Sequence, residues 1–376
     1  DSTCPTFASM VLFVQNERWD GVPFISRELE PVSTRDKGLT IVILGASGDL
    51  ARKKIFPALF NLYCGGYLPA ECHIVGYARS SFDAQAFQEN IRQFFNETGS
   101  VLALDLADKF LRRVSYVHGS YDDPKSYEHL ASVLNDIEHS SSEGEEVGPA
   151  NTRCFLANNR IFYFALPPFI FIKVASFIRR YCWTKTGFNR AIIEKPFGRD
   201  LESAQTMIRE LSDILKENEM YRIDHYLGKE MVVNLMYIRF ANMALSSMWH
   251  SNNIASVVIT FKEPFGTLGR GGYFDKFGII RDVIQNHLLQ VLTIVAMERP
   301  VSLESEDIRD EKVKVLKSIP PVLLENTVIG QYGTSLDGKE VAYLDDPGVP
   351  KDSTCPTFAS MVLFVQNERW DGVPFI

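Results

Sequence analysis

Short apolar segments alternate with stretches of helical spacing through the first 225 or so residues, and this alternation constrains the fold more than any other feature. Strands are predicted at 40–44, 72–78, 114–118, 160–165 and 190–193, and helices at 50–63, 87–95 and 104–111. Strands joined by helices form βαβ units, so the pattern predicts a Rossmann-type, doubly wound parallel sheet. After that point long helices and β-rich runs indicate a second, α+β domain with a mainly antiparallel sheet.

Composition excludes several classes of protein. The 376-residue chain has a formal net charge of −8, which argues against a general binder of nucleic acid or anionic membranes. It contains no apolar run long enough to span a bilayer and no secretory signal pattern, so we expect a cytoplasmic protein. Its six cysteines follow neither CxxC nor metal-finger spacing, which favours reduced thiols and predicts no metal site.

The segment TIVILGASGDLARKK (40–54) predicts a nucleotide site where a strand turns into a helix. Gly45 and Gly48 allow the backbone to approach a pyrophosphate, and the helix that starts near Asp49 offers free N–H groups. Ile43 occupies the first glycine position of G-x-G-x-x-G, so an ordinary strand–turn–helix connection also fits. The next strand ends at Arg79 instead of an acid, which favours NADP over NAD unless Arg79 is a plain surface residue.

Three further clusters are candidates for substrate chemistry. In EKPFG (194–198), Pro196 restricts Lys195 to extended geometry at the end of a strand, although a solvated turn has the same letters. In YRIDHYLGKE (221–230), a His, a Tyr and a Lys precede a helix at 229–240, as in an anion site or a plain helix cap. His287 falls on an apolar helix face, where a histidine acts as a base only if a carboxylate orients it.

With these motifs in place, the chain resembles the glucose-6-phosphate dehydrogenase family. The resemblance rests on GASGDLA, EKPFG, RIDHYLGKEMV, FKEPFGTLGRGGYFD and GIIRDVIQNHLLQ, and runs from about residue 39 to 376 and again over 1–25. It implies oxidation of C1 of glucose 6-phosphate to 6-phosphogluconolactone with NADP⁺, the first step of the oxidative pentose phosphate pathway. A different Rossmann oxidoreductase acting on sugars also uses a Glu-Lys-Pro turn, but RIDHYLGKE and NHLLQ argue against it.

The resemblance also implies roles for individual residues. It makes His287 the general base and Asp224 the carboxylate that orients it. The implied sugar-phosphate ligands are Lys195, His225, Tyr226, Lys229, Glu263 and Asp282. The implied coenzyme contacts are Gly45, Ser47, Gly48, Asp49, Leu50, Arg79, Tyr163 and Lys195, with Pro196 coupling coenzyme to substrate. The domain boundaries expected on this basis are 1–38 for a duplicated strand segment and linker, 39–223 for the NADP-binding Rossmann domain, and 224–376 for an incomplete, truncated α+β substrate and dimerisation domain.

One departure from the family pattern affects the expected activity. Family members continue past WDGVPFI with a basic segment, R-x-G-K-x-L-N-E-R, that completes the sugar-phosphate site, and with a region that forms the dimer or tetramer contact. This chain ends at Ile376. We therefore expect little or no turnover from a C-terminally truncated chain, and an inactive NADP-binding fragment is the alternative to an active dehydrogenase.

The first 25 residues recur letter for letter as residues 352–376. Solenoid repeats drift in sequence, so this identity indicates a duplicated segment and not a repeat architecture. Each copy predicts a buried strand, at 7–14 in the first, followed by a turn. Only one copy can occupy a single sheet position, and the second has the shorter connection to it. We therefore expect residues 352–376 to take that position.

Overall fold

The computed structural model describes residues 38–69, 71–95, 101–140, 158–267 and 269–376. Two compact units divide the chain, Asp1–His225 and Tyr226–Ile376. The strands of the first unit are β1 Leu39–Leu44, β2 Cys72–Ala78, β3 Val114–His118, β4 Asn159–Phe164, β5 Asn189–Ile193 and β6 Met220–Arg222. The linker expected at 26–38 lies outside the described residues except for residue 38. The Ser-, Glu- and Gly-rich segment 139–151, which predicts a surface loop, also lies outside them except for residues 139 and 140.

The six strands form one sheet in the order β3-β2-β1-β4-β5-β6, and every neighbouring pair is parallel. This order has two halves that meet between β1 and β4, which confirms the predicted doubly wound Rossmann sheet. Strand β6 was not predicted, because three residues are too few to display a recognisable hydrophobic pattern.

Both faces of this sheet are covered. Every residue of β1 is buried, with Ile41 and Ile43 in one apolar cluster and Val42 and Leu44 in the other. Parallel strands covered on both faces are continuous apolar runs, and for that reason these strands were recognisable in the sequence.

Helices flank the sheet. They are Phe56–Cys64, Ala84–Arg92, Val101–Leu111, Pro124–Ser140, Phe171–Phe177 and Leu201–Ile214, with π-helical segments at Ala51–Ile55 and Ile178–Cys182 and a 3₁₀ segment at Pro168–Ile170. Helix Ala84–Arg92 begins three residues before the predicted start, because the Asp83 carboxylate caps it by accepting a 2.7 Å hydrogen bond from the Ala86 N–H. Apolar spacing alone does not reveal such polar first turns.

The second unit is α+β. Its helices are Glu230–Ala241, Met243–Met248, Gly271–Phe274, Leu289–Ala296 and Ser305–Lys317, and Ile280–Leu288 is π-helical. Its strands β7 Thr327–Gly330 and β8 Phe358–Met361 pair antiparallel, as do β9 Leu363–Phe364 and β10 Pro374–Phe375. None of the helices in the described ranges is both long and apolar enough to cross a bilayer.

The second copy of the duplicated segment lies in the core of the second unit, as expected. Trp370 and Phe375 are almost fully buried there beside Leu292 and Val295. The predicted single buried strand is wrong: β8 and β9 are separate, because β8 pairs with β7 whereas β9 pairs with β10, and Phe358 and Phe364 are exposed. The first copy, including the predicted strand at 7–14, lies outside the described residues.

Candidate functional site

The turn after β1 is built around Gly45. Its φ is +87°, and a Cβ there would lie 2.1 Å from the Ala165 carbonyl oxygen, so only glycine fits. The N–H groups of Gly45 and Ala46 both donate to the Tyr77 carbonyl of β2, and Gly48 donates back to Gly45. The chain is thereby held close to the carboxyl ends of β1, β2 and β4, where ligands of doubly wound sheets bind.

A helical segment begins at Asp49 directly after this turn. The Asp49 carboxylate bonds Arg52 at 2.6 Å and Lys53 at 3.0 Å, and these hydrogen bonds, the one to Lys53 foremost, lower its pKa. The carboxylate is therefore already engaged with cations of its own helix. The Leu50 side chain packs against the core. Asp49 and Leu50 are both predicted coenzyme contacts. Their backbone N–H groups, at the positive end of the helix, suit a phosphate better than their side chains do.

Arg79 lies exposed just past the end of β2. Its guanidinium carbon is 5.6 Å from the centre of the Tyr121 ring, which is a cation–π contact. The next residue, Ser80, has its hydroxyl 3.1 Å from that of Ser47 in the turn. Ser47, Arg79 and Ser80 therefore form one polar rim, and Ser80 is a member that the sequence reasoning missed.

The neighbouring strands β4 and β5 end in a second polar group. The Tyr163 hydroxyl donates a 2.6 Å hydrogen bond to Glu194, the first residue after β5. Burial raises the pKa of both side chains. Lys195 and Pro196 follow with half-buried side chains, joined by a cis peptide bond. The predicted contacts Tyr163, Lys195 and Pro196 thus lie at adjacent strand ends.

Asp224 and His225 are the last residues of the first unit, after β6. Asp224 is half-buried and His225 is exposed. Both lie at the carboxyl edge of the sheet, and the Asp224 carboxylate is one of the charges that act on Glu194.

In the second unit, Tyr226 and His287 form a flat stack. Their ring centres are 3.9 Å apart and their planes differ by 14°. The Lys229 ammonium lies 3.9 Å from the centre of the Tyr226 ring, and the Phe261 ring packs edge-on against it. His287 itself is 3% exposed. Three of the predicted substrate-site residues, Tyr226, Lys229 and His287, are therefore together.

The helix that carries His287 differs from the expected α-helix. Over Ile280–Leu288 it is a π-helix, in which hydrogen bonds link residues five apart. Asp282 and His287 are five apart, and in an α-helix they would point about 140° away from each other. The wider turn moves the half-buried Asp282 towards the face of His287. Glu263 is exposed two residues after Phe261.

A separate cavity of about 460 Å³ lies elsewhere in the second unit. It is lined by Leu235, Trp249, Val291, Val295 and residues 256–260. None of the predicted substrate residues lines it, so it does not account for them.

Two family models match successive parts of the chain. Residues 42–234 match the model described as "Glucose-6-phosphate dehydrogenase, NAD binding domain", and residues 236–376 match "Glucose-6-phosphate dehydrogenase, C-terminal domain". The chain belongs to the glucose-6-phosphate dehydrogenase family. Most of the NAD-binding-domain match lies in the first unit, which ends at His225, and the C-terminal-domain match lies in the second unit.

Individual members of the glucose-6-phosphate dehydrogenase family are identical to this chain at about half of the aligned positions. Glucose-6-phosphate 1-dehydrogenase from Emericella nidulans is 50% identical over 336 residues, and the mouse protein glucose-6-phosphate 1-dehydrogenase 2 is 50% identical over 338. Each alignment covers 89% of this chain and 63% of the relative, so the chain spans less than two thirds of their length. A solved glucose-6-phosphate dehydrogenase in complex with its substrate glucose-6-phosphate superposes with a TM-score of 0.83 at 48% identity, covering 90% of this chain and 68% of that one.

Proposed function

We propose that this chain oxidises glucose 6-phosphate at C1 with NADP⁺, yielding 6-phosphogluconolactone, the reaction that gives the family its name. One observation supports this most strongly: a buried histidine stacks on a tyrosine that follows Asp224 and His225 directly in the chain. Because consecutive Cα atoms are about 3.8 Å apart, Asp224 lies within about 8 Å of the Tyr226 backbone.

The first unit would hold the coenzyme along the carboxyl edge of its sheet. The turn 45–48 and the helix beginning at Asp49 suit the pyrophosphate, since glycine admits the backbone and the helix end carries positive potential. Arg79, with the Ser47 and Ser80 hydroxyls beside it, suits the 2′-phosphate. Tyr163, Lys195 and Pro196, on the other half of the sheet, would face the nicotinamide end.

Proton removal is the part of the reaction that we assign to the second unit. Bound NADP⁺ supplies the acceptor for the hydride, so the C1–H bond breaks with its electron pair while the C1 hydroxyl proton leaves and a C1=O bond forms. His287 takes that proton, since histidine is the side chain that most often serves as a general base. Asp224 would fix the tautomer of His287 and stabilise the imidazolium.

Sugar and phosphate recognition follows from the charges near the stack. His225, Tyr226 and Lys229 precede helix Glu230–Ala241, whose N-terminus adds positive potential for the phosphate. Lys195, Glu263 and Asp282 would bind the sugar hydroxyls. Calorimetric binding of glucose 6-phosphate tests this part, and Lys229→Ala should weaken it by about tenfold or more, because an ion-assisted hydrogen bond is lost. Unchanged binding would remove Lys229 from the site.

Coenzyme choice tests the role of Arg79. In Arg79→Ala we expect NADP⁺ binding to weaken roughly 10- to 150-fold, the equivalent of one charge-assisted hydrogen bond, while NAD⁺ binding changes little. Only NADP⁺ carries the 2′-phosphate that Arg79 would bind. Equilibrium titration of both coenzymes measures the ratio.

The matched control for Arg79→Ala is Arg209→Ala, which removes an exposed arginine from helix Leu201–Ile214. Arg209→Ala should change the binding of neither NADP⁺ nor NAD⁺. Equal losses for NADP⁺ and NAD⁺ in Arg79→Ala would show that this arginine does not bind the 2′-phosphate.

Cytoplasmic residence is proposed from a relative's name: an Arabidopsis thaliana protein named glucose-6-phosphate 1-dehydrogenase 5, cytoplasmic, is 47% identical over 355 residues.

The alternative to turnover, a chain that binds NADP⁺ without reacting, predicts coenzyme binding with no hydride transfer. The two are separated by the deuterium experiment described at the end of the Discussion.

A further inference from the structure

Glu194 is a charged residue at the β4–β5 edge, and the proposed reaction gives it no role. Its carboxylate is fixed by the Tyr163 hydroxyl at 2.6 Å and by the backbone N–H of Lys195, and the Lys195 charge also acts on it. Strands β4 and β5 run parallel with Tyr163 opposite Ile192, so Tyr163 and Glu194 belong to neighbouring, hydrogen-bonded strand ends. Tyr163 is 4% exposed.

The direction of this hydrogen bond determines what Tyr163 can offer to a ligand. An ionised carboxylate only accepts, and 2.6 Å is the usual length for an O–H donating to O⁻. The phenol has a single proton, which is committed to Glu194. Towards any other group, the Tyr163 oxygen therefore presents only lone pairs.

The position in the sheet indicates which ligand group would meet that oxygen. In a doubly wound sheet the dinucleotide crosses the edge where the two halves meet, with β1 and its turn at the centre. Arg79 lies after β2, in the half that would hold the adenosine phosphate. The β4–β5 half is then left for the nicotinamide end, where the carboxamide NH₂ is the hydrogen-bond donor attached to the reacting ring.

We propose that Glu194 is a positioning residue, which holds the Tyr163 hydroxyl as an acceptor and thereby selects coenzymes that carry the carboxamide NH₂. This inference rests on the proposed function, since it assumes that a nicotinamide coenzyme binds along this edge. It assigns the residue before Lys195 to coenzyme specificity and not to the proton transfer.

The test compares NADP⁺ with its 3-acetylpyridine analogue, which keeps the carbonyl oxygen and lacks the NH₂ donor. Equilibrium dissociation constants are measured for both, so no turnover is needed. In Tyr163→Phe the preference for NADP⁺ should fall by a factor of about 2 to 10, the range for one neutral hydrogen bond. In Glu194→Ala the preference for NADP⁺ should fall by the same factor, although the phenol is still present. The Tyr163 hydroxyl is then free to donate its proton to the carbonyl oxygen that both coenzymes carry.

Further variants separate the loss of the hydrogen-bond acceptor from a general disturbance of the site. Glu194→Gln, whose amide oxygen still accepts the phenol proton, should retain the preference within a factor of about 2. Glu194→Met replaces Glu194→Ala if the alanine variant fails to fold, since methionine fills the space without an acceptor. The double variant Tyr163→Phe with Glu194→Ala should show no larger loss than either single one, because both remove the same interaction.

The outcomes separate this inference from the proposed function. Arg79→Ala should weaken the binding of NADP⁺ and of its 3-acetylpyridine analogue by the same factor, because both carry the 2′-phosphate. The preference for NADP⁺ over the analogue should therefore stay unchanged. If Glu194→Ala keeps the wild-type preference while Tyr163→Phe loses it, or if Glu194→Gln loses it as fully as Glu194→Ala, the positioning role is overturned. If the wild-type chain binds neither coenzyme, the proposed function itself fails.

Discussion

Replacing His287 by asparagine should lower the rate of hydride transfer by roughly 10²–10⁴-fold while leaving the affinity for glucose 6-phosphate nearly unchanged. A general base acts mainly in the transition state, so its loss appears in kcat and much less in ground-state binding. Asparagine keeps a polar side chain against the Tyr226 ring, on which His287 stacks at 3.9 Å, but it cannot accept a proton near neutral pH.

Two measurements are needed for this variant: the single-turnover rate of NADPH formation and the calorimetric dissociation constant of glucose 6-phosphate. The matched control is His129→Asn, which changes an exposed histidine in helix Pro124–Ser140 and should alter neither value. A wild-type rate in His287→Asn would show that the base is another residue. A loss of binding equal to the loss of rate would instead make His287 a ligand of the ground state.

The duplicated segment offers a second large effect with an unusually close control. Trp370→Ala should destabilise the second unit by about 3–5 kcal/mol, the usual range for truncating a buried tryptophan. Trp370 is fully buried, its indole N–H donates to the Ala296 carbonyl at 2.9 Å, and its ring packs edge-on against Phe375. Trp19 has the same 25-residue sequence context, and Trp19→Ala should change stability by less than about 0.5 kcal/mol.

The readouts for the tryptophan pair are the urea midpoint and hydrogen exchange of helix Leu289–Ala296, which packs against Trp370. Trp370→Ala should speed exchange there, and Trp19→Ala should not. The same asymmetry predicts that deleting residues 1–25 leaves the second unit folded, whereas deleting 352–376 does not. If both tryptophan variants destabilise the helix equally, or if Trp19→Ala has the larger effect, residues 352–376 do not have sole occupancy of this core.

Much of the first unit could be predicted because short stretches of neighbouring residues determine its strands and its glycine turn. Strands such as Cys72–Ala78 and Asn159–Phe164 are buried along nearly their whole length, and short apolar segments mark them in the sequence. Gly45 was recognisable as a nucleotide-turn glycine for a reason that the structure makes explicit, its close approach to the Ala165 carbonyl. The short strand β6, by contrast, is defined by pairing with β5 and leaves little trace in three residues.

The features that were missed depend on contacts between distant residues. Ser80 reaches Ser47 only because β1 and β2 are neighbours, and Glu194 meets Tyr163 only because β4 and β5 are. The π-helix over Ile280–Leu288 keeps the apolar residues that an α-helix would have, so hydrophobic spacing does not reveal it. The broken strand at 358–364 was predicted as one because its letters are apolar, whereas its pairing partners β7 and β10 are different.

The most direct test of the whole account is the transfer of deuterium from C1 of glucose 6-phosphate to NADP⁺. The chain, in excess over its substrates, is incubated with [1-²H]glucose 6-phosphate and NADP⁺, and the coenzyme is analysed by mass spectrometry. Because one turnover is sufficient, the result does not depend on a high rate. The account predicts NADPH carrying one deuterium from the wild-type chain, and the same product formed roughly 10²–10⁴-fold more slowly by His287→Asn. Bound NADP⁺ and bound glucose 6-phosphate without any deuterated NADPH would contradict it.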